Sequence, residues 1–478
     1  MAKRLPMRDV VFLLPGIAGS VLEREGKEIW APSAQGIWQF VKSGSRSLES
    51  LTLKSDDPCA ADLCDGVQAT RLVDDIHILP GLWKIDGYST IRHSLEAGFE
   101  LYSHSDCPPG KANYVEFPYD WRRDNRAAAR RLGEAVERYL GWWRKDQNLP
   151  RARAILVAHS MGGLVARYWL EVLGGWKECR ALITFGTPHR GSPKSVGYLV
   201  NGYKPQIESL TSLVRSCTSV YQLLPIYPMV LTEGGTVRVT EALPLENVDA
   251  QKANAGLCFH REIENGVNST HDQDRYVLLP MVGTGQSTPQ SASLRGAKLT
   301  TSSDLPVNFD RLWSHGDGTV PYASAIPLEM SAEPRLGYIC EQHGSIQNNQ
   351  HVLKYLRDFL ARTQTKDLGA VRAPVAEREE VSRPGLSLDV EDFFEPGETV
   401  TLSVSLVETD QPAVRVQASI EPADERHEAR FCDLELRGDA WKLSIDDLAP
   451  GLYRVNVRAG MAQGLPASPV TGLFEVGV

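Results

Sequence analysis

Three short segments carry residue types that together could run nucleophilic acyl transfer. The run Ala154-Ile-Leu-Val-Ala-His-Ser-Met-Gly-Gly163 reads as a strand, a tight turn with Ser160 at its apex, and a helix. It matches the pattern G-x-S-x-G with Ala158 in place of the first glycine; small neighbours let the turn project the serine oxygen. The helix that follows would aim its positive N-terminal end at developing negative charge. A serine oxygen needs a base, and the base needs an orienting carboxylate. In chain order Ser, Asp, His, each on a loop after a later strand, the pattern selects Asp317 in Gly316-Asp-Gly-Thr-Val-Pro321 and His343 in Glu341-Gln-His-Gly344. His315 precedes the aspartate, His351 falls inside the final helix, and Asp304 and Asp310 lack the glycine-rich turn. A tetrahedral intermediate also needs two backbone donors. The amide of Met161, next after the nucleophile, is one. Ile17 in Val11-Phe-Leu-Leu-Pro-Gly-Ile-Ala-Gly-Ser20 supplies the other.

Elements must hold these loops together. Apolar runs at 10–14, 154–158, 181–185, 276–282 and 337–340 show little polar alternation, as strands of a parallel sheet covered on both faces do. Helical spacing links Leu132, Val136, Tyr139, Leu140 and Trp143, then Leu164, Val165, Tyr168, Trp169 and Leu173, then Val352, Leu353, Leu356 and Leu360. The alternation predicts an α/β domain over residues 1–363. Two insertions, about 21–110 and 192–275, are longer than ordinary connections and read as lids or caps. Within the second, the apolar residues 221–230 fit either cap packing or the lining of an acyl-chain pocket. In Phe117-Pro-Tyr-Asp-Trp-Arg122, Trp121 reads as a core aromatic, with Asp120 and Arg122 paired beside it. A polar stretch with two prolines, 364–384, reads as a linker. Beyond it, short runs at 399–407, 414–420, 429–436, 441–445, 453–458 and 473–476 predict an immunoglobulin-like β-sandwich over 385–478.

Composition narrows the function. The chain has 478 residues, 42% hydrophobic and 23% charged, the make-up of an ordinary globular protein. No run approaches the roughly 20 apolar residues of a membrane-spanning helix, so lipid contact would be peripheral. The net charge of −9 resides in the last part of the chain: from residue 381 onward there are 8 Lys and Arg against 17 Asp and Glu. No basic footprint for nucleic acid exists, and the acidic sandwich reads as a surface for a protein partner. Eight cysteines do not form a disulfide scaffold, and Cys59 and Cys64 read as reduced thiols. His77, His93 and His104 fall at no metal-ligand spacing, and neither metal nor organic cofactor is implied. The apolar run after Lys3 and Arg4 is too short for a signal peptide and is broken by Pro15-Gly16, which points to the cytoplasm.

Taken together, Leu14-Pro-Gly-Ile-Ala-Gly-Ser20, Phe117-Pro-Tyr-Asp-Trp-Arg122, Ala158-His-Ser-Met-Gly-Gly163, Thr187-Pro-His-Arg-Gly191, Ser219-Val-Tyr-Gln-Leu-Leu-Pro225 and Gly316-Asp-Gly-Thr-Val-Pro321 resemble the lecithin:cholesterol acyltransferase family. The resemblance covers roughly residues 8–363 and leaves the sandwich outside. It implies an α/β-hydrolase fold, a glycerophospholipid acyl ester as substrate, Ser160, Asp317 and His343 as the triad, and a lid loop near Trp30 and Trp38 that touches the membrane. No sterol-specific feature stands out, so water is the default acceptor. Transfer to an alcohol, a neutral-lipid or carboxyl esterase, and a non-enzymatic lipid- or protein-binding scaffold are the alternatives.

Overall fold

The computed structural model describes residues 4–30, 51–79, 83–202, 208–269, 276–296, 298–306, 315–330, 337–365, 384–407, 409, 411–423, 428–462 and 466–477. Trp38, Asp310 and most of the expected linker lie outside these residues.

Six strands form one parallel sheet: β1 (Val10–Leu14), β2 (Tyr114–Glu116), β3 (Ala154–His159), β4 (Cys179–Phe185), β5 (Val277–Thr284) and β6 (Gly337–Cys340), in the order β6-β5-β4-β3-β1-β2. Five of them are the apolar runs anticipated from sequence. The sixth, β2, is three residues long and carries no recognisable period. Alternate side chains of each strand enter two different cores, as the two-residue repeat of a strand requires. Val10, Phe12, Leu14, Leu156 and Ala158 face one core, while Val11, Leu13, Ile155, Val157 and Ile183 face the other. That double burial is why these strands read as unbroken apolar runs.

Helices cover both faces. On one lie α1 (Asn125–Asp146), which buries Leu132, Val136, Leu140 and Trp143, and α2 (Met161–Glu171), whose side chains are all buried. The Asp124 carboxylate caps α1 by accepting from the Arg126 amide at 2.8 Å. On the other face α3 (Gln350–Thr365) buries Val352, Leu353, Leu356 and Leu360. Among the described residues no helix is long and apolar enough to cross a membrane.

The first insertion folds into a three-stranded sheet (Ser20–Arg24, Lys27–Trp30, Val67–Leu72) and a hairpin (Ile76–Leu79 with Trp83–Asp86). Trp30 is buried against Trp121, ring centroids 5.0 Å apart, and donates to the Ala18 carbonyl. Arg122 is wholly buried and paired with Asp120 at 2.6 Å and Asp65 at 3.0 Å, which fits the structural role expected of this segment. In the second insertion Tyr221, Leu223, Leu224, Met229 and Val230 all enter the core.

The C-terminal region is all-β. One sheet contains β7 (Gly385–Val390), β9 (Val400–Val407), β12 (Glu435–Arg437) and β13 (Ala440–Ile445), in the order β7-β9-β13-β12. The other contains β8 (Phe393–Phe394), β10 (Ala413–Pro422), β11 (Arg430–Asp433), β14 (Gly451–Met461) and β15 (Val470–Val476), in the order β8-β15-β14-β10-β11. Leu386, Val404, Val416, Val455 and Phe474 share the core between them. The domain docks on the hairpin of the first insertion. Ile76 and Ile78 meet Leu452 and Leu473, Lys84 pairs with Asp392 at 2.6 Å, and Arg454 pairs with Asp86.

Candidate active site

Ser160 sits between β3 and α2 with φ 51° and ψ −125°, a backbone conformation that a non-glycine residue adopts only when its surroundings impose it. They do so here. The Ser160 amide donates to the Phe185 carbonyl at 2.8 Å, and its carbonyl accepts from the Thr187 hydroxyl at 2.9 Å. A Cβ on Gly162 would lie 2.4 Å from the Pro15 carbonyl oxygen, so only glycine lets α2 approach the loop after β1 so closely.

The structure brings together the three side chains selected from sequence. The Ser160 Oγ is 2.9 Å from His343 Nε2, and His343 Nδ1 is 2.7 Å from Asp317 Oδ2. Since a carboxylate only accepts, Nδ1 carries the proton, and Nε2 is left free to accept from the serine hydroxyl. The other Asp317 oxygen accepts from the Thr319 amide at 3.0 Å and the Val320 amide at 2.7 Å, while the His343 amide donates to the Asp317 carbonyl at 2.8 Å. All three residues are 2% exposed or less. Gly186, on the turn after β4, forms the floor: a Cβ there would come within 2.8 Å of Asp317 Oδ2 and 3.0 Å of His343 Nδ1.

Ile17 and Met161 are both buried; Met161 starts α2 directly after Ser160, and Ile17 follows Gly16 on the loop after β1, where a Cβ on Gly16 would lie 2.9 Å from Ser160 Cβ. That loop is tied to the histidine by a relay that sequence reasoning missed. The Gly16 amide donates to the Tyr88 hydroxyl at 2.8 Å, which lies 3.0 Å from His159 Nδ1, and His159 Nε2 lies 3.0 Å from the His343 carbonyl. One assignment satisfies every atom: Tyr88 donates to Nδ1, and Nε2 donates to the carbonyl. Burial, with His343 close by, pushes His159 down to about 3, so its ring stays neutral. Its place immediately before the serine was the one sequence signal that could have drawn attention to it.

Beside Asp317 and His343 lies a polar cavity of about 220 Å³, walled by Lys84, Lys194, Gln286 and Gln342 from the α/β domain and by Leu388 and Asp392 from the sandwich. Burial pushes the Lys194 ammonium down, partly offset by Asp392. Among the described residues no group of His, Cys, Asp and Glu is placed to hold a metal ion, and Cys59 and Cys64 are free thiols. The arrangement can therefore deprotonate a serine and transfer an acyl group through it.

Residues 110–272 match the family model of lecithin:cholesterol acyltransferase. The chain is 23% identical over 422 residues to lecithin-cholesterol acyltransferase-like 4 of Arabidopsis thaliana, covering 74% of this chain and 76% of that protein. A shorter match, 32% identical over 122 residues, links 23% of this chain to 28% of the lysosomal phospholipase A and acyltransferase of Bos taurus. The solved Bacillus licheniformis lipase BlEst2 in mature form is 13% identical with a TM-score of 0.31, covering 75% of this chain and 95% of that one. On the motifs and the match over residues 110–272, this part of the chain is similar to the lecithin:cholesterol acyltransferase family.

Proposed function

We propose that this protein is a serine hydrolase that cleaves acyl ester bonds of glycerophospholipids. The coarser class, a lipid acyl hydrolase or acyltransferase, comes with the family. The phospholipid reading rests on the similarity to the bovine phospholipase A and acyltransferase. The observation that carries serine chemistry is the hydrogen-bonded chain from Ser160 Oγ through His343 to Asp317, closed at 2.9 and 2.7 Å.

In this reading His343 Nε2 takes the hydroxyl proton as Ser160 Oγ attacks the ester carbonyl. Asp317 holds the imidazole in the required tautomer and stabilises the imidazolium. The amides of Ile17 and Met161 receive the oxyanion. His343 then returns the proton to the departing alcohol, which leaves an acyl-Ser160. Water, activated by the same imidazole, releases the fatty acid. An alcohol held in its place would receive the acyl group instead. We read the C-terminal sandwich as immunoglobulin-like from its two packed, largely antiparallel sheets.

The test is fatty-acid release from phosphatidylcholine and phosphatidylglycerol vesicles by wild type and Ser160→Ala. Release by wild type, lost by several orders of magnitude in the variant, is the expected result. Turnover of a short-chain ester with none on vesicles would move the substrate away from phospholipid. Equal release by both proteins would remove Ser160 from the mechanism.

A further inference from the structure

The sandwich touches the catalytic loops through an unusual set of contacts. Strand β7 is the outer strand of its sheet, so among the described residues one edge of its backbone pairs with no named strand, apart from an isolated bridge from Gly385 to Ser468. Two glutamines of the α/β domain occupy that edge. Gln286 Nε2 donates to the Leu386 carbonyl at 2.8 Å, and its Oε1 accepts from the Leu388 amide at 3.0 Å, as a neighbouring strand would. Gln342 Nε2 donates to the Leu388 carbonyl at 2.8 Å. From β15 the Thr471 amide donates to Glu341 Oε1 at 2.8 Å.

The other ends of these contacts lie on the loops that carry the acid and the base. Gln342 is the residue before His343, and Glu341 the one before that. The Gln286 amide donates to the Gly316 carbonyl at 3.0 Å, next to Asp317, and Thr288 Oγ1 accepts from the Gly318 amide at 2.8 Å on its other side. Gln286 is 1% exposed, so an edge that moved away would leave its Oε1 without its Leu388 partner and its Nε2 with only the Cys340 sulfur at 3.5 Å. Cys340 adds a further contact, its thiol 3.3 Å from the Leu386 carbonyl.

We infer that Gln286 and Gln342 are positioning residues that hold the Asp317 and His343 loops against the free edge of β7. The C-terminal sandwich is then a working part of the catalytic unit rather than only a surface for a partner. The inference rests on the hydrolase reading above. It predicts that weakening these contacts lowers turnover more than it alters KM, because what the contacts hold is the alignment of the Asp317 and His343 loops.

The experiment uses the full chain carrying Gln286→Met or Gln342→Met, with Leu452→Ala as a control that loosens the domain contact at Ile76 and Ile78, away from the loops. The probes are p-nitrophenyl butyrate turnover and the labelling rate of Ser160 by a fluorophosphonate, with Tm measured on each protein. Each glutamine variant is expected to lose roughly tenfold in kcat, since a misplacement of order 1 Å can cost up to about 10²-fold. KM should stay within about twofold, and the labelling rate should fall in step. Leu452→Ala should lower Tm and keep kcat. Glutamine variants with wild-type kcat and labelling, and only a lower Tm, would overturn the inference while leaving the hydrolase reading intact. A wild type that neither turns over the ester nor takes the label would sink both. If Gln286→Met fails to fold, Gln342→Met carries the test, because that side chain is only partly buried.

Discussion

At the scale of single residues, Ser160, Asp317 and His343 were legible because each sits in its own short signal: a strand–turn–helix joint, a glycine-flanked turn and a strand end. Tyr88 and His159 were not. They act through bonds that span 72 residues to Gly16 and 184 residues to His343, and no local pattern encodes such a span. Two expectations separate the roles of these groups. Asp317→Asn keeps the shape of the site but disturbs the imidazole tautomer, and kcat on a short-chain ester should fall by about 10⁴. Tyr88→Phe leaves the Gly16 amide and His159 Nδ1 buried without a partner, at a cost of about 1–3 kcal/mol. Thermal unfolding should reveal that loss, together with a smaller fall in kcat than Asp317→Asn causes.

At the scale of elements, what decides the site is how closely α2, the loop after β1 and the turn after β4 approach one another. Gly162→Ala would force the Pro15 carbonyl away from a Cβ otherwise 2.4 Å distant. Overpacking of this kind costs about 1–3 kcal/mol. Because Ile17 is two residues beyond Pro15, turnover should fall along with Tm; a variant with normal kcat would show that the loop tolerates displacement. The main strands were readable because burial on both faces makes them uniformly apolar. The three residues of β2 are too few to show a period, and the edge role of β7 depends on a glutamine side chain 100 residues earlier in the chain. For Trp30 the sequence gives a position but not a partner, and its partner is Trp121.

For the molecule as a whole, protonation should set the pH range of stability. Burial holds His159 down to about 3, His260 down to about 4 and His189 well below its ordinary value. In the unfolded chain these rings bind protons near pH 6.5. Their contribution to stability is therefore present above that pH and is lost as pH falls through the 6.5 to 4 range. Glu341 works in the opposite sense. Burial raises it to about 7, against the pull of the Thr471, Asn349 and Gln342 donors, so its contribution grows as pH falls from 7 toward the ordinary carboxylate range. With these histidines held down against the carboxyls of Glu341, Asp86 and Glu264, which burial raises, Tm should drop between pH 7 and pH 5. Glu341→Gln removes that residue's opposing contribution, so the drop should be steeper in that variant; an unchanged slope would show that Glu341 is already ionised throughout.

The order in which the chain is written adds a temporal dimension to the β7 contact. A ribosome completes Ser160, Asp317 and His343 before it reaches Gly385–Val390, so a nascent chain holds every reacting group before it holds the edge that aligns two of them. On the inference above, such a chain would reach full turnover only once Gly385–Val390 had packed against the loops of Asp317 and His343.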